Sequence, residues 1–294
     1  MSLKTRLKAA LHSFLNPNLT PKVVIQSQAP EPSQVLDNQL LAGKNVLITG
    51  AGQNIGKSIA LEMAKQEANV FFTDIVLERC EKLEQELTIY PVQSKGFVAD
   101  ISNTEDTDFL YSLLVQDNIY IDVLVNNVGI QFTKIGLNNL ELSEWHKTFN
   151  TNVFGSIYLT KLIAQMMIDN STHGSIIFMT SMHQNTVVRW PSYSSSKAAL
   201  DMIIKELAID LSSHQIRVNG IAPGWVIEDE QGNPLYHKYA PLYGSSINPR
   251  YIGRAAVYLA SDYFSKFTTG TLLRIDGGLS LYNYRVAQHP PQLS

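Results

Sequence analysis

The stretch KNVLITGAGQNIG, residues 44–56, decides the fold. Its first half is a short apolar run, which predicts a buried β-strand, and its second half is a glycine-rich turn. Helical periodicity follows at once in KSIALEMAKQEA, residues 57–68. Glycines at such a turn let the backbone come close to a phosphate group, and the helix N-terminus offers free N–H groups to it. The stretch therefore predicts a strand–loop–helix unit that binds a nucleotide, with Gly50, Gly52 and Gly56 in the loop.

The alternation of strand and helix continues along the chain. Further apolar runs are NVFFTD, GFVADI, IDVLVNN, GSIIFMTS, QIRVNGIAP and TLLRIDGG, with helical segments between them. Strands without polar alternation are typical of a parallel sheet that is covered on both faces. We predict an α/β fold, a doubly wound parallel sheet of the Rossmann type, as a single domain over residues 43–279. Residues 1–42 are predicted to be an N-terminal extension and residues 280–294 a C-terminal tail.

Composition excludes several classes of protein. The chain has 294 residues, of which 45% are hydrophobic and 17% charged, as in an ordinary globular domain. The net charge of −3 provides no basic surface for nucleic acid, and the lone Cys80 excludes an internal disulfide and a multi-cysteine metal site. No apolar run approaches the ~20 residues of a membrane-spanning helix. We predict a cytoplasmic protein that binds neither nucleic acid nor a metal.

The predicted extension has a composition of its own. Residues 1–30 contain four basic side chains and no acidic one, and apolar residues recur at helical spacing from Leu3 to Phe14. Three interpretations stay open: an arm that packs on the domain or on a partner subunit, a helix that contacts a membrane surface, and an organellar targeting segment.

The glycine-rich loop has two further interpretations. Residues 51–58 read AGQNIGKS, which fits a loose phosphate-loop pattern with Lys57 and Ser58 as ligands of a nucleoside triphosphate. However, Ala51 stands where the strict pattern requires glycine, and no strand ends in a magnesium-binding aspartate where that fold needs one. A plain strand-to-helix turn is the other alternative. We favour a dinucleotide over both.

An acidic residue at the end of the second strand bears on the choice of dinucleotide. Asp74 lies 18 residues beyond Gly56. A carboxylate at this point accepts hydrogen bonds from the adenosine ribose hydroxyls and repels a 2′-phosphate. Gln53 supplies no positive charge in the loop, and Arg79 lies a turn into the next helix. The pattern favours NAD(H) over NADP(H), with a helix N-cap as the alternative role of Asp74.

Tyr193 and Lys197 form a pair at the start of a later helix. Positions i and i+4 lie on one face of a helix, so the phenol and the ammonium can point into one cleft. A tyrosine with a pKa near ~10 is a weak base at neutral pH. We expect the Lys197 ammonium, together with an oxidised nicotinamide ring, to lower the pKa of Tyr193. An ordinary exposed helical pair is the alternative.

Further motifs accompany this pair. Ser181 ends a strand twelve residues before Tyr193, and Asn152 lies within NTNVFGSIYLT. Other motifs stand at the ends of strands: Asp100, Asn126-Asn127-Val128-Gly129, Pro223-Gly224 and Asp276-Gly277-Gly278. In their order and spacing, these motifs resemble the short-chain dehydrogenase/reductase family over residues 43–279.

The resemblance implies an NAD(H)-dependent oxidoreductase that interconverts a secondary alcohol and a carbonyl. Tyr193 would donate or accept the hydroxyl proton, and Lys197 would hold the nicotinamide ribose and tune Tyr193. Ser181 would hydrogen-bond the substrate oxygen, and Asn152 would hold a proton-relay water. The residues implied to bind NAD are Gly50, Gly52, Asn54, Ile55, Gly56, Asp74, Asp100, Ile101, Asn126, Gly129, Tyr193, Lys197, Pro223, Gly224 and Val226.

Two departures from the family pattern stand out. Asn54 occupies a position where the family usually has glycine, a mild change because asparagine tolerates unusual backbone angles. Glu228 replaces the threonine that often follows the Pro-Gly turn and meets the carboxamide of the cofactor. With Asp229 and Glu230 it places three acidic residues near the cofactor. They are either the solvated face of a lid or a site for a hydroxylated or cationic substrate.

A narrower resemblance, to the glucose 1-dehydrogenase branch, concerns the substrate. It rests on SMHQ and RWPSY after Ser181, on ELSEW and on DGGLSLY. His183 and Gln184 would then face the pocket, although a surface loop explains them equally well. Tyrosines and a histidine follow in the predicted lid, residues 226–247: Tyr236, His237, Tyr239 and Tyr243. We predict a sugar or polyol substrate, with a 3-oxoacyl group or a cyclic alcohol next, and a cofactor-binding regulatory protein as an alternative of another class.

The resemblance also implies self-association. Family members usually form homotetramers or homodimers by pairing helices, which here lie around residues 103–118 and 152–169 and from residue 193 onward.

Overall fold

The computed structural model describes residues 39–132, 137–229, 233–236 and 242–281. Predictions about the extension before residue 39, about Glu230, His237 and Tyr239, and about the tail after residue 281 lie outside the described residues.

The described part of the chain contains a sheet of seven strands that pair in parallel throughout. In chain order they are β1 (Asn45–Ile48), β2 (Asn69–Asp74), β3 (Ser94–Val98), β4 (Val123–Asn126), β5 (Ser175–Met179), β6 (Arg217–Pro223) and β7 (Leu272–Ile275). Their spatial order is β3-β2-β1-β4-β5-β6-β7. The direction of winding reverses between β1 and β4, which confirms the predicted doubly wound sheet.

Helices connect the strands. They are α1 (Asn54–Ala64), α2 (Leu77–Leu87), α3 (Thr104–Gln116), α4 (Leu142–Phe149), α5 (Ser156–Asp169), α6 (Pro191–Asp210), α7 (Pro249–Ala260) and α8 (Asp262–Ser265). A π-helical stretch, Asn150–Gly155, joins α4 to α5, and a 3₁₀ turn, Met182–Gln184, follows β5. Among the residues described, no helix is long and apolar enough to cross a membrane.

Strand β1 shows why the central strands are largely apolar. Val46 and Ile48 pack on one face of the sheet with residues of α1, α2 and α7. Leu47 packs on the other face with residues of α3, α5 and α6. Because helices cover both faces, each successive side chain of the strand is buried, as a parallel sheet requires.

Two residues outside the strands join the first of these cores. The Cys80 side chain is buried against it, and burial raises the pKa of its thiol. Leu41, two residues before the predicted start of the domain, is also buried there. The domain boundaries themselves stay predictions.

Candidate functional site

A cavity of about 650 Å³ lies at the carboxyl ends of β4, β5 and β6, where a doubly wound sheet binds its ligands. Nine of the predicted site residues line it: Asn54, Ile55, Gly129, Ser181, Tyr193, Lys197, Pro223, Gly224 and Val226. Eight others do not line it: Gly50, Gly52, Gly56, Asp74, Asp100, Ile101, Asn126 and Asn152.

Tyr193 and Ser181 meet in this cavity from two different elements. Pro191 begins α6 and places Tyr193 in its first turn, while Ser181 follows β5 and begins the 3₁₀ turn. Burial raises the pKa of the Tyr193 phenol, and a hydrogen bond with Ser181 opposes that rise. The pair brings a phenol and a hydroxyl to one point, as proton transfer to a substrate oxygen requires.

Lys197 lies one turn further along α6. Its ammonium is buried and donates a hydrogen bond to the Met179 carbonyl oxygen at 2.8 Å. The Nζ atom is 5.7 Å from the centroid of the Tyr193 ring. Burial lowers the pKa of Lys197 to about 8.

The expected lowering of the Tyr193 pKa by Lys197 together with an oxidised nicotinamide stays a prediction. The ammonium bonds to the backbone of β5 rather than to the phenol, and burial of the phenol has the larger effect.

Asn152 lies behind the cavity wall, in the π-helical stretch. Its Oδ1 atom accepts a hydrogen bond from the Ile130 amide at 2.8 Å. Its Nδ2 atom donates to the Ile130 carbonyl at 3.0 Å and to Ser196 Oγ at 3.0 Å. Asn152 thus ties the segment after β4 to α6. A Cβ atom added to Gly129, in that segment, would lie 3.1 Å from Lys197 Nζ, so glycine leaves room for the lysine.

The glycine-rich loop has the backbone geometry of an anion-binding turn. Gly50 and Asn54 both have positive φ angles, +63° and +49°, which confirms that asparagine adopts here a conformation that suits glycine. No side chain caps the N-terminus of α1, and its first turn contains no acidic residue. Its N–H groups and its positive dipole end are therefore suited to the pyrophosphate of a dinucleotide.

Asp74 closes the other side of this loop. Its carboxylate accepts hydrogen bonds from the Gly52 amide at 3.0 Å and the Val76 amide at 3.1 Å. A Cβ atom on Gly52 would lie 2.6 Å from Asp74 Oδ2, so the close approach needs glycine. Arg79 Nη1 lies 3.6 Å from Asp74 Oδ1. The residues present fit the adenosine end of a dinucleotide, since each carboxylate oxygen has a further lone pair for a ribose hydroxyl.

In the alternative interpretation of the loop, Lys57 would bind a nucleoside triphosphate, but its side chain is paired with an acidic residue. Lys57 Nζ pairs with Glu86 Oε1 of α2 at 2.7 Å. Within the part of the chain that the structure describes, no group of three histidine, cysteine or acidic residues could hold a metal ion.

Two residues predicted to bind the cofactor have side chains engaged elsewhere. Asn126 Nδ2 donates to Thr160 Oγ1 at 2.8 Å in the protein interior. Asp100 Oδ1 accepts hydrogen bonds from the amide and the hydroxyl of Ser102 at 2.9 and 2.7 Å. The predicted contacts of these residues with adenine and ribose stay predictions.

Sequence reasoning missed Asn127, which lines the cavity. Its Nδ2 atom donates to the carbonyl oxygens of Thr49 and Gly50, each at 3.0 Å. It thereby ties the glycine-rich loop to the end of β4. The alternation of side chains along a strand was the signal, because Asn126 and Asn127 must point to opposite sides.

Aromatic side chains also line the cavity. His183 lines the cavity with Trp190 and Trp225, two residues that the sequence did not mark as site residues. Burial lowers the pKa of His183. His183 Nδ1 and Gln184 Oε1 are buried without a hydrogen-bond partner among the described residues.

Glu228 and Asp229, which follow the Pro-Gly turn, do not line the cavity. Glu228 forms an isolated antiparallel bridge with Pro234. Burial raises the pKa of its carboxyl, Asp229 adds to the rise, and Arg250 and Lys57 oppose it. The Asp229 carboxylate accepts hydrogen bonds from the amide and the side chain of Asn233 at 2.8 and 3.2 Å. The purpose of these residues stays a prediction.

Comparison with known proteins matches the same part of the chain. A family model described as short chain dehydrogenase matches residues 44–233. The chain is 32% identical over 252 residues to 7alpha-hydroxysteroid dehydrogenase of Escherichia coli (strain K12), with 82% of this chain and 96% of the relative covered. It is 31% identical over 251 residues to 5-keto-D-gluconate 5-reductase of the same organism, covering 81% and 96%. It is 28% identical over 257 residues to glucose 1-dehydrogenase 2 of Bacillus subtilis (strain 168), covering 82% and 96%.

The fold is similar to that of a solved relative. The structure of a 7 alpha-hydroxysteroid dehydrogenase complexed with NADH and 7-oxo glycochenodeoxycholic acid superimposes with a TM-score of 0.73 and 30% sequence identity. The match covers 83% of this chain and 98% of that one.

Proposed function

Because the chain belongs to the short-chain dehydrogenase family, we propose that it interconverts a secondary alcohol and a carbonyl with NAD(H), and that its substrate is a sugar or polyol. Its named relatives are dehydrogenases and reductases that act on CH–OH groups, and one of them is complexed with NADH, which confirms the predicted class of enzyme. The observation that carries the rest is the meeting of Tyr193 and Ser181 beside buried Lys197 in the cavity.

Each side chain of the site has a distinct task in this proposal. Ser181 hydrogen-bonds the substrate oxygen, and Tyr193 passes the hydroxyl proton to or from that oxygen. Lys197 holds the nicotinamide ribose, and Asn152 holds the proton-relay water. When bound, the nicotinamide supplies the hydride transfer, while the protein orients the reactants and excludes water.

The choice of NAD(H) over NADP(H) rests on Asp74. Its buried carboxylate stands beside the Gly52 amide, where a 2′-phosphate would meet a negative charge. The NADH named in the solved relative supports the same choice.

A neutral hydroxylated ring suits the cavity as substrate. Of the described residues that line it, Lys197 alone is charged at neutral pH, and its ammonium is engaged with Met179. His183 lines the cavity, and its buried Nδ1 atom has no hydrogen-bond partner among the described residues, a lack that a sugar hydroxyl would satisfy. The relatives that act on glucose and a keto-gluconate support this class.

A cyclic secondary alcohol is the second candidate. Trp190 and Trp225 give the cavity flat apolar faces, and a hydroxysteroid is the substrate named for one relative. A 3-oxoacyl group is the third, since a reductase of that kind is also a relative.

A substrate panel tests the proposal. Purified protein is mixed with NAD⁺ or NADP⁺ and with sugars, polyols, cyclic alcohols or 3-hydroxyacyl thioesters, and cofactor reduction is followed. We expect turnover with NAD⁺ and a sugar or polyol. Turnover confined to cyclic alcohols would replace the substrate class, and turnover with NADP⁺ alone would contradict the cofactor. No turnover with intact NADH binding would favour a regulatory cofactor-binding protein.

We also propose a homodimer or homotetramer. Apolar side chains stand exposed on α3, on the π-helical stretch before α5 and on α6, among them Phe109, Phe154, Met202 and Ile209. Exposed apolar surface of this kind marks protein interfaces.

We also propose that the protein is cytoplasmic. Imaging of the full chain and of a chain that lacks residues 1–38 distinguishes this localisation from an organellar one or from one at a membrane surface.

A further inference from the structure

His183 contacts both groups that would handle the substrate oxygen. Its amide donates a hydrogen bond to Ser181 Oγ at 3.3 Å. Its ring meets the Tyr193 ring edge-on, with centroids 5.4 Å apart and an interplanar angle of 87°. A T-shaped pair at this separation is a favoured aromatic contact.

Trp190 supports the imidazole from another direction. The centroids of the His183 and Trp190 rings are 5.1 Å apart. Trp190 is the residue before α6, and its carbonyl accepts the Ser194 amide at 2.9 Å, which anchors it to that helix. The three rings therefore join the turn after β5 to the first turn of α6.

The segment between these two turns gives little support of its own. Val187 is 91% exposed, and Arg189 has a positive φ of +67°, a conformation that side-chain-bearing residues rarely adopt. The position of Ser181 relative to Tyr193 therefore depends on contacts between the turn after β5 and α6. The His183 ring makes two of these contacts, with Trp190 and with Tyr193. The others are the Ser181–Tyr193 hydrogen bond and the bond from Lys197 to Met179.

We propose that His183 is a positioning residue, which holds the Tyr193 phenol and the Ser181 hydroxyl at the separation needed to bind one substrate oxygen. Its amide fixes Ser181, and its ring, packed on Trp190, fixes Tyr193. Burial keeps the imidazole neutral at pH 7, so it packs as an uncharged aromatic ring. This inference rests on the proposed function and goes beyond it, because the task of the ring differs from binding a sugar hydroxyl through Nδ1.

The two tasks predict different results for substitutions. His183→Phe keeps a ring and removes the nitrogen atoms, whereas His183→Asn keeps polar atoms and removes the ring. Positioning predicts that His183→Phe retains most of the wild-type kcat. It also predicts that His183→Asn and His183→Ala lose roughly tenfold to a hundredfold in kcat with little change in KM, since small misplacements of reacting groups slow the chemical step.

Steady-state kinetics on the substrate found with the panel, together with NADH affinity and Tm for each variant, tests the proposal. Val187→Ala, in the same exposed segment, is the control and keeps wild-type kinetics. Trp190→Phe and Trp190→Ala repeat the comparison from the other side of the imidazole, in case the His183 variants fail to fold.

The outcomes separate this inference from the function on which it rests. Wild-type kcat in His183→Ala, or equal loss of kcat in the phenylalanine and alanine variants, would overturn the positioning role while leaving the enzyme function intact. A raised KM with unchanged kcat in both would assign His183 to substrate binding instead. A wild type that turns over no substrate would overturn both proposals.

Discussion

Tyr193 and Lys197 share one helix face, yet burial moves their pKa values in opposite directions. Desolvation disfavours the charged form of each group, so it raises the pKa of the phenol and lowers that of the ammonium. At neutral pH the Tyr193 phenol is therefore protonated and the Lys197 ammonium, 5.7 Å from the centroid of the Tyr193 ring, is charged. The buried lysine has a consequence for stability that can be measured.

We predict that replacing Lys197 stabilises the unliganded protein in a pH-dependent way. The folded-state pKa, about 8, lies below the ordinary value of 10.5. Between these two pH values the unfolded chain binds more protons than the folded chain. The contribution of Lys197 to the free energy of unfolding of the wild type therefore rises with pH. Below pH 8 Lys197 is charged in both the folded and the unfolded state, so folding carries the full cost of burying the charge. In this range Lys197→Met should raise the free energy of unfolding by on the order of 2 kcal/mol.

Thermal unfolding of the wild type and of Lys197→Met at pH 7 and at pH 10 checks this. The difference in Tm should shrink at the higher pH. The same difference at both values would show that Lys197 is not buried as a charge. Lys205→Met, at an exposed position of the same helix, controls for general effects of pH on α6.

Asp74 carries the prediction for the choice of cofactor. We expect wild-type protein to bind NADH more tightly than NADPH, and Asp74→Ser to shift the ratio of the two dissociation constants by about tenfold or more toward NADPH. The shift follows because the substitution removes a carboxylate and leaves Arg79 free to meet a 2′-phosphate.

Fluorescence titration with both nucleotides measures this ratio. Glu78→Ser, an exposed acid in the first turn of α2, is the matched control and should leave the ratio unchanged. Tighter binding of NADPH by the wild type would refute the role of Asp74.

Among the elements, the turn from β1 to α1 depends most on a single conformation. Asn54 has a φ of +49° at the first residue of α1 and lines the cavity. We expect Asn54→Gly to keep stability and NADH affinity. Asn54→Val should lose roughly 1–2 kcal/mol of unfolding free energy, since a β-branched residue is strained in this conformation.

Urea unfolding and NADH titration of both variants check this prediction. Equal stability of the glycine and valine variants would mean that the loop does not hold Asn54 in the left-handed region.

The elements differ in how far the sequence predicted them. Short apolar runs marked each of the seven strands. Burial on both faces explains this pattern for the central strands, while the edge strands β3 and β7 are only partly buried. No sequence pattern predicted the π-helical stretch around Asn152. Asn152 contacts Ile130 and Ser196, which come from distant parts of the chain.

The residues of the site also differ in how far the sequence predicted them. Tyr193, Lys197 and Ser181 were found because their spacing is local or tied to the end of a strand, and the structure brings them together in the cavity. Trp190 and Trp225 were missed because no local sequence pattern shows whether an aromatic residue in a loop lines a cavity. That depends on the tertiary fold. The hydrogen bond from Lys197 to the Met179 carbonyl joins α6 to β5, and no spacing in the sequence reveals it.

At the scale of the whole molecule, the exposed apolar side chains on and around α3, α5 and α6 are what we expect of an interface with a second copy of the chain. Phe154 is 58% exposed beside Phe149, with ring centroids 6.2 Å apart. We predict that Phe154→Glu converts a dimer or tetramer to smaller species, because an interface would bury the new charge.

Light scattering during size-exclusion chromatography measures the mass. Ile89→Glu, at an exposed apolar residue after α2, serves as the control and should leave the mass unchanged. A monomeric wild type would contradict self-association through these helices.

Tyr193→Phe removes one oxygen atom from the cavity and leaves the ring packed on His183. The measurement is single-turnover reduction of NAD⁺ on the active substrate, with NADH affinity determined on the same sample. We predict unchanged NADH affinity and a rate at least roughly a thousandfold below that of the wild type, as expected when the acid/base group is lost. A variant that keeps the wild-type rate would show that the phenol does not carry the proton and would contradict the mechanism.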